Sequence, residues 1–340
     1  MALLTPDMPR VPSRTRHGIG CVLLGMTLFV GQDAMMKSLL AAHPLWILMF
    51  VRSCVAVAVL VPLIVVLGHR LTTPHWRLHL ARATLFSLGF SLFYAAFPFM
   101  GLATVTTIFF SAPLMIALIA AFVLKERIGP HRIGALVVGF AGVVIAMNPG
   151  GGGFGWVSVL PLVCAVFYAA SQVLARRIGE GESSLTVGLW TLIFAGPIVA
   201  GMGFALNQVV TFGPEFSHLR WQVPDALPGD LADLLLLGLV GMAGYTILSR
   251  GYQVADASII APFDYSYLPI AAVTAWVLWG ETPTFATLSG MMLIVSSGLY
   301  IAWRELRRPR PADKPAIVAE SVTAPGSPYA AQGAEEDSWI

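Results

Sequence analysis

Four ionisable side chains stand inside stretches that are otherwise apolar: Asp33 and Lys37 within 18–40, Arg52 within 44–67, and Asp264 within 256–279. A charge at the centre of a lipid-embedded helix costs about 2.5 to 3.5 kcal/mol on insertion scales, so such groups pair with one another or face a wet cavity. Asp33 and Lys37 are four residues apart and share a helix face. Arg52 lies roughly 12 Å of helical rise into its own stretch, a depth close to theirs. The simplest arrangement gathers Asp33, Lys37 and Arg52 into one cluster, either an ion pair stapling two helices or a contact for a polar solute. Asp264 is flanked by Pro262, Tyr265, Tyr267 and Pro269, with no basic residue evident at its depth. A carboxylate so placed suits the exchange of a proton or cation; the plainer reading is hydrogen bonding to backbone freed by the two prolines. Asp264, Tyr265 and Tyr267 are expected to line the inner part of a solute site, with Asp33 and Asp264 as coupling or gating groups.

Aromatic rings in the middle of such helices can stack on a planar or cationic solute. Tyr94, Tyr168, Trp190 and Tyr245 qualify, and Tyr94, Tyr168 and Gln172 are preferred because they lie away from helix ends. Gln32, beside Asp33, joins the same expected binding set. Trp46, Trp156 and Trp303 fall near helix ends and read as an interfacial belt. Thr104, Thr106, Thr107 and Ser111 offer hydroxyls, although most such groups in membrane helices bond to their own backbone.

Other chemistries lack their signatures. Cys21, Cys54 and Cys164 all lie in apolar runs and read as small hydrophobes. The seven histidines include no pair at metal-ligand spacing, so no metal is expected. The run Gly150 to Gly153 lacks the Lys-Ser/Thr of a phosphate loop, and no zincin or nucleophile-elbow motif is present. Glu126 and Glu281 fall at helix ends, where a terminal or hinge role fits better than catalysis. No catalytic residue, enzyme activity or cofactor is therefore expected, and the net charge of +2 gives no bias towards nucleic acid.

These residues must be positioned by membrane-spanning elements. The chain of 340 residues is 57% hydrophobic and 11% charged, with a mean hydropathy of +0.78, whereas soluble domains carry about a quarter charged residues. Apolar runs near the 20-residue length needed to cross a bilayer predict ten helices, over 18–40, 44–67, 78–98, 102–124, 132–147, 155–178, 185–207, 230–252, 256–279 and 284–303. Alternate connections carry nearly all the basic residues: Arg10, Arg14 and Arg16, then Arg70, Arg77 and Arg82, then Lys125, Arg127 and Arg132, then Arg176 and Arg177, then Arg250 and the basic tail. The opposite connections carry Arg220 alone. By the positive-inside rule both termini are cytoplasmic. Residues 304–340 turn to Pro, Ala, Ser, Glu and Asp, which predicts a disordered cytoplasmic tail.

The chain also resembles itself. Pro113 and Pro269 sit at matching depths of the fourth and ninth runs, and Gly134 and Gly142 recur as Gly290 and Gly298 with the same separation. An odd number of helices per half makes the second half enter the membrane inverted, an arrangement that places a site at the interface of the halves. The expected organisation is a cytoplasmic segment 1–17, a five-helix repeat 18–148, a connector 149–154, a second five-helix repeat 155–303 and the tail 304–340. The fold class is all-α integral membrane protein, with ten transmembrane helices as two inverted five-helix repeats.

Across 18–303 the sequence resembles the drug/metabolite transporter superfamily, and within it the EamA-type ten-helix carriers. The resemblance rests on "GQDAMMKSL", "HPLWILMFVRS", "TVTTIFFSAPLMIALIAAFVLKERI", "GALVVGFAGVVIAM", "ASIIAPFDYSYLPIAAVTAWVLWGETP" and "SGMMLIVSSGLYIAWRE", in that order and spacing. It implies a multi-pass carrier in the inner (cytoplasmic) membrane, with a central cavity lined mainly by the first, third, fourth, sixth, eighth and ninth helices. The expected partners are a small-molecule substrate and membrane lipid, with a proton and a second copy of the chain as further candidates. Uptake of a vitamin- or nucleoside-like solute such as riboflavin or S-adenosylmethionine is favoured, export of amino acids or related metabolites being the alternative. A sensor or scaffold without transport is the remote one.

Overall fold

The computed structural model describes residues 13–123, 129–148, 155–178, 182–222, 227–255 and 260–306. Glu126, the Gly150 to Gly153 run and the tail beyond 306 lie outside these described residues. The helices are α1 (Ser13–Leu39), α2 (Leu45–Val66), α3 (Trp76–Ala95), α4 (Leu102–Phe109), α5 (Ala112–Val123), α6 (Pro130–Met147), α7 (Val159–Ile178), α8 (Ser184–Val209), α9 (Leu227–Val254), α10 (Tyr267–Trp279) and α11 (Phe285–Leu306). Short 3-10 turns cover Trp156–Ser158, Pro214–Leu219 and Ala261–Ser266. The protein is all-helical among the described residues, and eight stretches are long and apolar enough to cross a membrane.

The two expected spans missing from those eight are 78–98 and 256–279. The first corresponds to α3, which is 20 residues long but carries Arg77, His79 and Arg82 near its start. The second is interrupted: its regular helix, α10, has 13 residues and is preceded by the 3-10 turn Ala261–Ser266. The fourth run breaks in the same manner, α4 ending at Phe109 and α5 starting at Ala112. Proline explains both breaks. Pro113 and Pro269 have no N–H to give to the carbonyl four residues earlier, and their rings crowd that carbonyl.

Helices from the two parts of the chain pair antiparallel, and glycine sets how closely they approach. Along α1 and α9, a Cβ on Gly25 would lie 3.2 Å from the Gly244 carbonyl oxygen, and one on Gly251 would lie 3.1 Å from that of Gly18. Along α6 and α11, a Cβ on Gly290 would lie 2.5 Å from the Gly142 carbonyl oxygen. Trp46 against Gly203 and Ser53 against Gly196 pair α2 with α8; Gly89 against Cys164 and Phe167 pairs α3 with α7. Small residues matter here because lipid tails are as apolar as the side chains, so association in a bilayer depends on close packing. Gly134 meets nothing within 4 Å. Its recurrence with Gly290 therefore does not mark a shared contact. Val137, Val144, Val273, Trp276, Val277 and Met292 present an exposed apolar flank suited to acyl chains.

Candidate functional site

The site grows from Asp33, two turns before the end of α1, with almost no exposed surface. Its carboxylate accepts a hydrogen bond from the Tyr94 hydroxyl of α3 at 2.9 Å and another from the Tyr267 hydroxyl at the start of α10. Tyr94 in turn accepts from the Arg52 guanidinium of α2 at 2.7 Å and from the Gln32 amide at 3.5 Å. One phenol thus gives its single proton to the carboxylate and offers its lone pairs to two donors. Arg52 also lies 5.4 Å from the centre of the Tyr94 ring. Asp33, Arg52, Gln32, Tyr94 and Tyr267 therefore form one buried network joining α1, α2, α3 and α10.

Lys37 does not join them, which corrects the expected three-residue cluster. Its ammonium pairs with Glu281, approaches the Met100 carbonyl oxygen at 3.4 Å and sits 4.8 Å from the centre of the Trp279 ring. The helical rise between Asp33 and Lys37 carries the ammonium to the end of the bundle, where Glu281 is delivered by the left-handed turn at Gly280, φ 67°. The other oxygen of Glu281 accepts from the Leu102 N–H at 3.2 Å, satisfying a free donor at the start of α4. Glu281 is thus a helix-end residue, as expected, and ties α1, α4 and α10 together.

Asp264 lies in the 3-10 turn before α10, fully buried, and accepts from the Tyr252 hydroxyl of α9 at 2.6 Å through Oδ2. Among the described residues its Oδ1 has no hydrogen-bond partner. Tyr265 and Tyr267 diverge from it. The Tyr265 hydroxyl lies over Gly298, where a Cβ would come within 1.7 Å, whereas Tyr267 reaches Asp33. The expected inner grouping of Asp264, Tyr265 and Tyr267 is thus dispersed: Asp264 meets Tyr252, Tyr265 lies against Gly298, and Tyr267 joins the Asp33 network. Thr106 and Thr107 give their hydroxyls to carbonyls of their own helix.

A cavity opens beside the Asp33 network, between α1, α2, α3, α8 and α9. Gln32, Arg52, Arg82, Thr191 and Tyr245 supply its polar lining; Phe29 and Phe86 supply aromatic walls. Its free space is roughly 540 Å³, open solvent at the mouth included. Glycine makes room on the α9 side: a Cβ on Gly241 would fall 1.8 Å from the Gln32 amide oxygen.

The helices around this cavity differ from those the resemblance implies. Among the described residues, none of the fourth, sixth or ninth run lines it. Phe90, Phe93, Phe109 and Tyr168 pack with ring centres 5.2 to 6.0 Å apart, many edge to face. Tyr168 belongs to that packing. Gln172 donates to its hydroxyl at 3.1 Å and accepts from Arg82 at 3.3 Å. Trp190 is committed elsewhere, giving its indole N–H to the Leu71 carbonyl at 2.9 Å.

Arg82 is the main residue that sequence reasoning missed. In the sequence it reads as a basic group bordering a cytoplasmic connection, yet it is 1% exposed. Its guanidinium donates to Thr191, to the Val187 carbonyl at 3.4 Å and to Gln172, while Nε has no partner among the described residues. The legible signal was the spacing of Arg82, Phe86 and Phe90, which places the arginine on the apolar face of α3.

A bundle of long apolar helices enclosing a polar cavity, with buried charges held by partners from different helices, defines a multi-pass membrane carrier. The sequence profile of the EamA-like transporter family matches residues 16–148 and again 155–303, and the chain belongs to that family. Among its relatives, the riboflavin transporter of Rhizobium johnstonii is 31% identical over 235 residues, covering 69% of this chain and 72% of the relative. The riboflavin transporter of Vibrio cholerae is 28% identical, covering 76% of this chain and 83% of the relative. The S-adenosylmethionine uptake transporter of Rickettsia bellii is 27% identical, covering 85% and 94%. One solved crystal structure superimposes with a TM-score of 0.54 at 21% identity, over 87% of this chain and 99% of that one, a likeness of fold. The protein is a transporter of a small metabolite.

Proposed function

We propose that the chain is an alternating-access carrier of ten spans, arranged as an inverted pair of five-helix repeats, 18–148 and 155–303. In this reading it takes up a riboflavin-like metabolite across the inner membrane, with both termini cytoplasmic and no enzymatic activity. Several features support the repeat. The family profile matches each half separately. Counting α4 with α5 as one span and the turn Ala261–Ser266 with α10 as another, the first span packs on the eighth, the second on the seventh, the third on the sixth, the fourth on the ninth and the fifth on the tenth. Exchanging the two halves leaves that set of pairs unchanged. The break in the fourth span at Phe110 and that in the ninth at Ser266 stand the same distance before Pro113 and Pro269.

The observation carrying the mechanism is the junction at Asp33, where a carboxylate of the first half is held by Tyr94 of its own half and Tyr267 of the other. Hydrogen bonds between halves can be exchanged when one half rocks against the other. Lys37 with Glu281 closes the end where α1 finishes, and Tyr252 with Asp264 ties α9 to the turn before α10 at the opposite end. A proton binds to or leaves Asp33 and Asp264 as these contacts open, while the solute occupies the cavity beside them. The test is riboflavin uptake into proteoliposomes by the wild type and by Asp33→Asn, the variant being checked for monodispersity. Loss of uptake in a folded Asp33→Asn protein is expected. Unchanged uptake, with unchanged pH dependence, rejects the role given to the junction.

A further inference from the structure

The cavity holds two guanidinium groups that no carboxylate neutralises directly. Arg52 and Arg82 both line it, both are at least nine-tenths buried, and among the described residues neither has an acidic oxygen within 4.0 Å. Arg52 spends one N–H on Tyr94, a neutral phenol. Arg82 bonds to a threonine hydroxyl, a backbone carbonyl and the Gln172 amide oxygen, all uncharged, and among the described residues its buried Nε has no partner. Asp33 stands behind Tyr94 and outside the lining. Among the described residues, the wall facing a solute therefore presents two positive charges and no negative one.

The two arginines also stand apart. Helices α2 and α3 are successive, so the end of α2 lies beside the start of α3. Arg52 is near the start of α2 and Arg82 near the start of α3, which separates them by about 10 Å along the bundle. The Phe29, Phe86 and Tyr245 rings line the same cavity.

We propose that Arg52 and Arg82 form a two-ended acceptor clamp that admits a flat solute rich in oxygen and nitrogen acceptors, neutral or anionic, and excludes a fixed cation. Each guanidinium offers directed N–H donors and cannot be deprotonated to relieve repulsion. A carbonyl, hydroxyl or phosphate oxygen satisfies the free donors, and an aromatic ring system occupies the apolar middle. A sulfonium or ammonium centre would be driven out by like charge in a poorly hydrated site, which is the repulsive element that selectivity needs. Thr191 and Gln172 act as positioning residues that aim the Arg82 head.

This inference rests on the carrier reading, and the experiment keeps the two apart. Purified full-length protein in proteoliposomes is given labelled riboflavin, riboflavin 5′-phosphate or S-adenosylmethionine, which are respectively neutral, anionic and cationic. Uptake of one or both flavins without uptake of S-adenosylmethionine is expected. Arg82→Gln is expected to raise the flavin KM about tenfold or more with a smaller change in kcat, the loss typical of a charge-assisted contact, and Arg82→Lys to recover part of it. Transport of S-adenosylmethionine as fast as the flavins, or an unchanged KM in monodisperse Arg82→Gln, overturns the clamp and leaves the carrier reading standing. Absence of uptake for all three probes overturns the carrier reading as stated, and the clamp with it.

Discussion

Asp33 is held by two phenols rather than by a cation, and that choice has consequences. Tyr94 is the shared partner: it donates to Asp33 and accepts from Arg52 and Gln32. Tyr94→Phe leaves a buried carboxylate oxygen and a buried guanidinium each short of a partner, so a destabilisation of about 1 to 3 kcal/mol is expected. Thermal unfolding in detergent checks this, with Thr107→Val as the contrast. Among the described residues Thr107 bonds to the Ala103 carbonyl of its own helix alone, at 2.6 Å, so its loss is expected to cost less. At this scale the sequence was readable wherever a charge interrupted an apolar run, as at Asp33, Arg52 and Asp264. It was less readable where side-chain reach decided the partner. Lys37 and Asp33 share a face, but a long side chain one turn further on meets Glu281, which is 244 residues away and invisible to local spacing. Arg82 was obscured for another reason: a basic residue near a helix start reads the same whether it faces water or turns inwards.

Helix pairing is decided by what glycine leaves room for. Gly142 faces Gly290 and Leu293, so Gly142→Val forces α6 and α11 apart and is expected to cost about 1 to 3 kcal/mol of stability. Gly134→Val, on the same helix but facing open space, is expected to stay within about 0.5 kcal/mol of wild type. Melting curves of the two variants side by side test the seam, and equal losses would contradict it. The connection after α8 carries its own titratable contact. His218, in the turn Pro214–Leu219, is buried against the Ala95 carbonyl oxygen at 3.3 Å and the Phe99 ring. Burial lowers its pKa below the ordinary imidazole value, with the Ala95 hydrogen bond partly opposing. The unfolded segment therefore takes up a proton first as pH falls. The stability this contact supplies is present above about pH 6.5 and is lost on acidification through the depressed folded value. Faster hydrogen exchange across Pro214–Leu219 at pH 5 than at pH 8, after correction for intrinsic rates, is the expected result, and His218→Phe should remove the difference. The breaks at α4/α5 and before α10 were foreshadowed by Pro113 and Pro269. The α1–α9 and α3–α7 partnerships were not, since glycines recur on many faces of an apolar chain and only packing selects among them.

The molecule as a whole joins elements of its two parts at buried polar contacts, Asp33 with Tyr267 among them, while Lys37 with Glu281 and His79 with Glu182 also cross from one part to the other. Composition and apolar run length already specified an all-helical membrane protein. The cavity's walls, Phe29 and Phe86 with Gln32, Arg52, Arg82, Thr191 and Tyr245, come from five helices whose juxtaposition local spacing does not reveal. The central claim is that the Lys37–Glu281 end must open and close for solute to pass. Its most direct test is to lock that end: Lys37→Cys with Glu281→Cys, in a background with Cys21, Cys54 and Cys164 replaced by alanine, bridged by a short cleavable thiol crosslinker. The account predicts that flavin uptake into proteoliposomes stops on bridging and returns on cleavage. Equal uptake by the fully bridged and the cleaved protein would contradict it.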